Sequence, residues 1–288
     1  MEIRVLRYFL MVAREESITR AAMMLHITQP TLSRQLIQLE EELGVSLFHR
    51  GRQRITLTEE GMLLKYRAQE IVELADKTKR EFLPDDSTLA GDVSIGCGET
   101  GNMDYIAKLI TDFRKLHPLV KFEIFSGNAL NVKERIDNGL LDFGMMIEPV
   151  DVGSYDFKRL PCREKWALLV RADSPLAQKE YIVPKDLVGT PLMISSRDKV
   201  KNVFANWCGE YHDKMNIVAE HNLYLNAAVM VRSGMAAFIG LNFDDFFQGL
   251  KEIPLKPEIE LGLVMTWKRG RAFSKAAKAF IDFIRYTD

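Results

Sequence analysis

Apolar residues recur at helical spacing near the start of the chain and predict two short amphipathic helices. The first should span about 3–14. Its inward positions are Leu6, Phe9, Val12 and Ala13. The second should span 18–25, because Ser17 is a good N-cap. Its small residues Ala21 and Ala22 would let another helix cross it closely.

A third helix is predicted at about 29–40, with Thr28 as its cap and Pro30 in its first turn, where a missing N–H costs little. Its inward positions are Leu32, Leu36 and Leu39. Its outward polar positions are Gln29, Thr31, Ser33, Arg34, Gln35 and Gln38. Arginine can bridge two acceptors of guanine, and glutamine can bridge adenine. An ordinary solvated face is the alternative, but the cap, the short turn and the preceding alanine pair favour a DNA recognition helix.

A short hairpin should follow the third helix, after a C-cap at Gly44. The letters HRGRQRITLT indicate two strands that turn at Gly51-Arg52. The apolar positions expected to be buried are Leu43, Leu47, Phe48, Ile55 and Leu57. The arginines of the hairpin are Arg50, Arg52 and Arg54. They should contact phosphate or enter the minor groove, which positions a protein on DNA without specifying the sequence.

A long helix should run from its cap at Thr58 to about Phe82, with no glycine or proline after Gly61. Its apolar positions are spaced alternately four and three residues apart. They are Leu64, Ala68, Ile71, Ala75, Thr78 and Phe82. This spacing is typical of paired helices and favours a dimer contact over packing within one chain. A break at 84–87 should form a linker.

From Gly91 onward, strand and helix patterns alternate. Strands at GDVSIGCG, VKFEIFSG and LLDFGMMI enclose helices at 103–117 and 130–139, which predicts a parallel sheet. A second set begins at WALLV and continues through PLMIS, NIVAEH and AAFIGL, with helices near 199–208 and 224–233. The strand LGLVMTW leads into a closing helix at 272–286. The chain should therefore form two α/β lobes.

Small ligands bind at the carboxyl ends of strands, so we expect a ligand cleft between the two lobes. The residues that follow predicted strands there are Glu99, Thr100, Gly101, Asn102, Gly127, Asn128, Ser195, Ser196 and Arg197. Hydroxyls, amides and a guanidinium would suit a carboxylate. The alternative for Thr100, Ser195 and Ser196 is that they only cap helices. Glu99 disfavours a simple anion, so a ligand with an amine or hydroxyls is the other possibility.

Composition limits the class of protein without naming it. The chain has 288 residues, 47% hydrophobic and 27% charged, which is usual for a globular protein larger than one DNA-binding module. The net charge of −1 does not by itself indicate a nucleic-acid ligand. No apolar run has transmembrane length, and arginines interrupt the apolar residues of the N-terminus, so we expect a cytoplasmic protein with no membrane partner.

Cysteine and histidine spacing indicates no metal site and no cofactor. Three widely spaced cysteines, Cys97, Cys162 and Cys208, form no CxxC pair, and we expect them to be inert buried thiols rather than a redox pair. The five histidines lack metal-ligand spacing. No GxSxG, HExxH or Walker loop is present, so the sequence predicts no enzyme.

The N-terminal residues 1–65 resemble the DNA-binding domain of LysR-type transcriptional regulators. The resemblance rests on the order AA, TQPTLSRQL, LEEELGVSLFHR and LTEEG. It implies base and backbone contacts for Gln29, Pro30, Thr31, Ser33 and Arg34, and wing contacts for the three hairpin arginines. It also implies that the long helix is the dimerisation helix, through Leu64, Ala68, Ile71, Ala75 and Phe82.

Residues 91–288 resemble the effector domain of the same family, through NGLLDFGMMI, SPLAQKEYIVPKDLVGTPLMI and VRSGMAAFIGL. The fold expected is multidomain: an all-α winged helix-turn-helix domain with a long linker helix, then a two-lobe α/β periplasmic-binding-protein-like domain. The expected boundaries are 1–58 for the DNA-binding domain, 59–87 for the linker helix and hinge, and 88–288 for the effector domain. Lobe I should comprise 91–161 and 264–288, and lobe II 162–263.

The function implied is a transcriptional regulator. It would bind an inverted-repeat operator in double-stranded DNA as a homodimer or homotetramer, and a small-molecule effector would modulate it. The alternative is a receptor or enzyme domain that uses the helix-turn-helix for protein interaction. The arginines of the hairpin and the polar set from Gln29 to Arg34 count against that alternative.

Overall fold

The computed structural model describes residues 1–50, 55–81, 89–243 and 247–287. It divides into two compact units, Met1–Pro84 and Asp85–Asp288. The predicted hairpin turn at Gly51-Arg52, the arginine Arg54, the seam residue Phe82 and the predicted linker at 84–87 lie outside the described residues. The long helix belongs to the first unit rather than forming a segment of its own.

The first unit packs four described helices around a small apolar core and carries one hairpin. Its helices are α1 (Ile3–Glu15), α2 (Ile18–Met24), α3 (Gln29–Leu43) and α4 (Glu59–Glu81). Its antiparallel strands are β1 (Phe48–Arg50) and β2 (Ile55–Leu57). The hairpin gives the predicted winged helix-turn-helix, so this domain is not purely helical. The α3 helix is three residues longer than predicted, and Leu43 at its end is exposed rather than buried.

Local capping sets the boundaries of these helices. Ser17 accepts the N–H of Arg20, and Thr28 accepts the N–H of Thr31, as N-caps do. Gly44 ends α3 in the left-handed conformation that lacks a side-chain penalty in glycine. All three caps are confirmed.

The predicted dimer seam on α4 is wrong in part. Ala68 is fully buried in the core of its own unit, and the half-buried Leu64 packs against that core. Ala75 is half-buried, and Ile71 is exposed. Tertiary packing against α1 and the core of the unit therefore uses residues that spacing alone assigned to a partner. The apolar side chains that α4 exposes are Met62, Leu63, Tyr66, Ile71 and Leu74.

The second unit has a mixed sheet flanked by helices. Its strands are β3 (Ala90–Cys97), β4 (Leu119–Ser126), β5 (Phe143–Ile147), β6 (Tyr155–Arg171), β7 (Pro191–Ser195), β8 (Asn216–His221), β9 (Ala237–Leu241), β10 (Leu250–Pro254) and β11 (Glu260–Lys268). Its helices are α5 (Met103–Leu116), α6 (Ala129–Asp137), α7 (Asp198–Cys208), α8 (Tyr224–Arg232) and α9 (Lys275–Tyr286). The predicted parallel pairing is confirmed, since β3 pairs in parallel with β4 and β5, and β7 with β8 and β9.

Two long antiparallel strands join the two lobes. The strand order is β4-β3-β5-β11-β6-β9-β7-β8, with β10 paired to β6. The first half of β6 pairs with β11, and its second half pairs with β9 and β10. Separate apolar cores lie on the two sides, one around Phe143 and Phe280 and the other around Leu192 and Phe204. The sequence predicted only WALLV within β6 and missed β10. Because β6 is continuous from Tyr155 to Arg171, the predicted lobe boundary at 161–162 falls inside a strand.

Candidate DNA-binding surface and effector cleft

The polar face of α3 is accessible and its apolar face is buried. Leu32, Leu36 and Leu39 are at most 2% exposed. The exposed side chains of the helix's predicted contact set are Gln29, Pro30, Thr31, Arg34 and Gln38, whereas Ser33 and Gln35 are half-buried. The Thr31 hydroxyl lies 2.8 Å from that of Thr28, so it also takes part in the cap.

Among the described residues, the Arg34 guanidinium makes no hydrogen bond and no ion pair. A free, exposed guanidinium on this face can bond bidentately to guanine. The arrangement therefore leaves the one arginine of the recognition face available for a base edge.

The hairpin is held against α3 by a buried contact network. Glu40 accepts the backbone N–H groups of Leu47, at 2.7 Å, and Phe48, at 3.3 Å. Thr58 donates its hydroxyl to the Ser46 carbonyl at 2.7 Å and accepts the Gly61 N–H at 2.9 Å. These contacts fix where the wing strands begin and end. Arg50 lies in β1, and nothing is described of its side chain.

A cleft in the second unit is formed where strands from both lobes end. It encloses about 810 Å³, counting the space at its open mouth. Five of the nine predicted residues line it: Glu99, Thr100, Asn128, Ser195 and Arg197. The other four, Gly101, Asn102, Gly127 and Ser196, do not line it. Most of the wall is apolar, which is usual for a small-molecule site.

A buried carboxylate accepts hydrogen bonds from two of the polar residues predicted to face a ligand. Glu164, in β6, is 1% exposed and accepts the Thr100 hydroxyl. The Asn102 side-chain amide donates to Glu164 at 2.8 Å and to the Arg163 carbonyl at 3.0 Å. Thr100 lines the cleft and Asn102 does not, so the predicted ligand contact of Thr100 stays a prediction for a hydroxyl that already donates to Glu164. The two side chains hold the start of α5 against the strand that crosses between the lobes.

Two further predicted residues make local contacts at the starts of helices. Asn128 accepts the N–H groups of Leu130 and Asn131, at 2.9 and 3.0 Å, and so caps α6. Ser195 accepts the N–H of Arg197 at 3.3 Å. The alternative that Thr100, Ser195 and Ser196 only cap helices did not include Asn128, which is the cap of α6. Ser195 contacts the N–H of Arg197, the N-cap residue of α7, and is not itself that cap.

Comparisons with known proteins agree with this architecture. The description "LysR substrate binding domain" matches residues 86–287, and "Bacterial regulatory helix-turn-helix protein, lysR family" matches residues 3–62. The chain belongs to the LysR family. It is a DNA-binding transcriptional regulator with an effector-binding domain, and the family members it matches are regulators rather than enzymes.

Several LysR-family relatives match at moderate identity. The uncharacterized regulator YbhD of Escherichia coli is 32% identical over 65% of this chain and 59% of its own length. The Hca operon transcriptional activator HcaR of Escherichia coli is 28% identical over 99% of this chain and 97% of its own. A crystal structure of full-length CbnR with its target DNA has a TM-score of 0.75 at 19% identity, covering 99% of both chains. That structural likeness shows the same fold.

Among the cleft residues of this LysR-family chain that the sequence predictions missed, two carry ring nitrogens. They are Trp166, at the start of the lobe II part of β6, and His221, at the end of β8. His221 pairs in register with Ser195 on the neighbouring parallel strand, so the strand-end rule that nominated Ser195 could have found it. Trp166 lies in the middle of a strand, and no local signal distinguishes it from a core tryptophan.

The three thiols are poorly placed for redox chemistry. Cys97 and Cys208 are buried, and Cys162 is half-buried. Burial raises the pKa of Cys97 and Cys162, and it raises the pKa of Cys208 to about 12. The thiolate is the reactive form, so this burial disfavours reaction of the three cysteines at neutral pH. In the ranges that the structure describes, no helix is both long and apolar enough to cross a membrane.

Glu99 lines the cleft and links the two lobes through its carboxylate. Its carboxylate accepts the backbone N–H of Leu225 at 2.8 Å, in the first turn of α8. A carboxylate is favourable at a helix N-terminus. Glu99→Ala should therefore raise the exchange rate of the Leu225 amide hydrogen about tenfold, from the loss of one charge-assisted hydrogen bond.

Hydrogen exchange resolved to single amides measures this effect. Glu123→Ala, at an exposed position of β4, is the matched control and should leave the Leu225 rate unchanged. Glu99→Gln keeps an acceptor oxygen and should fall between the two. An unchanged rate in Glu99→Ala would mean that the bridge does not form in solution.

Proposed function

We propose that this LysR-family regulator reads its operator through the exposed face of α3, with Arg34 as the principal base-reading side chain. The observation that carries the proposal is the exposed Arg34 guanidinium, which has no partner among the described residues. Gln29, Gln35 and Gln38 share that helix and supply amides for adenine edges. Pro30, Thr31 and Ser33 are proposed as positioning and backbone contacts.

The hairpin arginines Arg50, Arg52 and Arg54 are proposed as phosphate or minor-groove contacts. The network around Glu40 and Thr58 supports this role, because it orients the wing strands from the end of the recognition helix. Such contacts should add affinity for any DNA and increase its salt dependence, since they release counterions.

Arg34→Ala tests the base-reading proposal. We expect it to weaken binding to a selected high-affinity site by about 1–3 kcal/mol, because a bidentate base contact is lost. Binding to random-sequence DNA at the same salt concentration should change much less. Fluorescence anisotropy with both duplexes measures the two affinities.

Arg67→Ala is the matched control, since Arg67 is an exposed arginine on α4 that pairs with Glu70 and lies over the ring of Tyr66. It should leave both affinities nearly unchanged. An equal loss at both duplexes in Arg34→Ala would instead make Arg34 a phosphate contact and refute the assignment.

The proposed active form is a homodimer or homotetramer on an imperfect inverted repeat. Two recognition helices on one face of DNA need two copies of the chain at a spacing of helical turns. Support comes from the apolar side chains that α4 exposes, which a second copy of the chain could cover. They are Met62, Leu63, Tyr66, Ile71 and Leu74. A regulator that binds chromosomal DNA would act in the cytoplasm.

We propose further that a small effector binds in the cleft and shifts the balance between conformations of the lobes. A ligand has this effect only if it binds one conformation better than the other. Support comes from the two strands that cross between the lobes and from the Glu99 bridge.

A thermal-shift screen of the full chain against a metabolite library tests the effector proposal, since a ligand of the folded state raises the Tm. Ala129→Trp is the companion variant, because Ala129 lines the cleft and a tryptophan there would fill it. A hit that Ala129→Trp abolishes supports the cleft as the effector site. A hit that the variant leaves intact would refute it.

A further inference from the structure

The cleft contains one cationic side chain with no partner. Arg197 lines the cleft, is half-buried, and makes no hydrogen bond or ion pair through its guanidinium with any described residue. Burial lowers the pKa of Arg197, yet a guanidinium stays charged at neutral pH. A partly desolvated charge without a partner is costly, so an anionic group in the cleft would stabilise it.

Two buried nitrogen atoms of the cleft are also without partners in the described part of the chain. They are Nε1 of Trp166, a residue only 4% exposed, and Nε2 of His221. Leaving a buried polar atom unpaired costs about 1–3 kcal/mol. Each residue lines the cleft, so a bound molecule could supply both partners.

The two nitrogens require different hydrogen-bond partners. The indole N–H of Trp166 can only donate. The His221 Nδ1 lies 3.2 Å from the Leu223 carbonyl oxygen, so Nδ1 carries the hydrogen and Nε2 is left as an acceptor. Burial lowers the pKa of His221, which keeps the ring neutral at pH 7. The ligand should therefore offer both an acceptor and a hydrogen-bond donor.

The carboxylate of Glu99 does not offset the charge of Arg197. It forms no ion pair with Arg197, and its oxygen accepts the Leu225 N–H. Most of the remaining wall is apolar, with polar side chains in the minority, and it includes Met145, Ile147, Phe238, Leu241 and Leu261. Such a wall favours a compact apolar body and excludes a molecule that is charged at every position.

We infer that the effector is a small monocarboxylate with a compact apolar body and one hydroxyl or amide donor, an inference that rests on the proposed effector role of the cleft. Arg197 binds the carboxylate, and the Trp166 N–H donates to an acceptor oxygen of the same molecule. His221 Nε2 accepts from the donor group. The apolar wall covers the body.

Matched probes distinguish this class from the alternatives. Benzoate has a carboxylate and a compact apolar ring, and each of the three hydroxybenzoate isomers adds a hydroxyl donor. Benzamide has the same ring without the negative charge, and benzylamine carries a positive charge instead. Titration of the full chain by calorimetry gives the affinities, and tryptophan emission reports on Trp166. We expect benzoate to bind about tenfold or more tighter than benzamide, as a charge-assisted bond is stronger than a neutral one. One hydroxybenzoate should bind tighter than benzoate.

Variants assign the contacts. Arg197→Gln should weaken benzoate about tenfold or more and leave benzamide within about twofold, because only the charged contact is lost. Arg232→Gln is the matched control, since Arg232 is an exposed arginine of the same lobe, and it should change neither affinity. His221→Phe should remove the gain of the hydroxybenzoate over benzoate. Trp166→Phe should weaken benzoate and abolish the emission change.

The inference is overturned if benzylamine binds best, if no probe binds, or if Arg197→Gln leaves benzoate binding unchanged. Failure of the broader effector proposal gives a different result. In that case, library ligands and any probe that binds would bind equally well to Ala129→Trp, whose filled cleft should exclude all of them.

Discussion

Gly61→Ala should destabilise the DNA-binding unit by about 3 kcal/mol, near the upper end for overpacking a tight contact. A Cβ at this position would lie 2.1 Å from the backbone carbonyl oxygen of Leu47 and 3.0 Å from a methyl group of Leu57. The backbone at Leu47 cannot move aside as easily as the end of a flexible side chain can. The first turn of α4 would have to move away from the strand β1, carrying the Thr58 cap with it.

Chemical denaturation of the full chain, followed by a probe in each unit, measures this prediction. The transition of the unit Met1–Pro84 should shift to lower denaturant, and operator affinity should fall, while the transition of the effector unit stays in place. Glu60→Ala, one residue away and exposed, is the control and should change stability by a few tenths of a kcal/mol at most. An unaltered transition in Gly61→Ala would show that the close approach to Leu47 is absent in solution.

Glu164→Ala should destabilise the effector unit by about 3 kcal/mol, because a buried acceptor is removed and its donors lose their partner. The hydroxyl of Thr100 and the amide of Asn102 would both be left without the carboxylate that holds them. The loop from Thr100 to Met103 should then exchange its amide hydrogens faster. Since this loop adjoins the cleft, effector affinity should fall as well.

Calorimetric unfolding and hydrogen exchange measure the effect of Glu164→Ala. Glu260→Ala is the control, because Glu260 lies on the neighbouring strand β11 and pairs with Lys165 at the surface, at 3.3 Å. An exposed pair of this kind contributes roughly 0–1 kcal/mol. Glu164→Gln keeps one acceptor oxygen and should be intermediate. Equal losses in Glu164→Ala and Glu260→Ala would refute a structural role for the buried carboxylate.

The DNA-binding unit was predictable because its signals are local. Ser17, Thr28 and Gly44 act on backbone groups within a few residues, and the inward leucines of α3 repeat at helical spacing. The failure on α4 has the opposite cause. A stripe spaced four and three residues apart suits a partner helix and a neighbouring core equally well. Ala68 is buried in the core of its own unit, where α4 packs against α1.

The sequence by itself determined the order of elements, the two-unit organisation, the recognition helix and the general position of the cleft. It could do so because periodicity, helix caps and strand ends depend on residues that are close together along the chain. Only the tertiary structure decided which polar groups the cleft keeps free. Thr100 and Asn102 are bound by Glu164, more than sixty residues away along the chain, and Glu99 is bound by the amide of Leu225, further still. Within the described residues, the fold brings no partner to the Arg197 guanidinium, Nε1 of Trp166 or Nε2 of His221, and sequence spacing could not have predicted this.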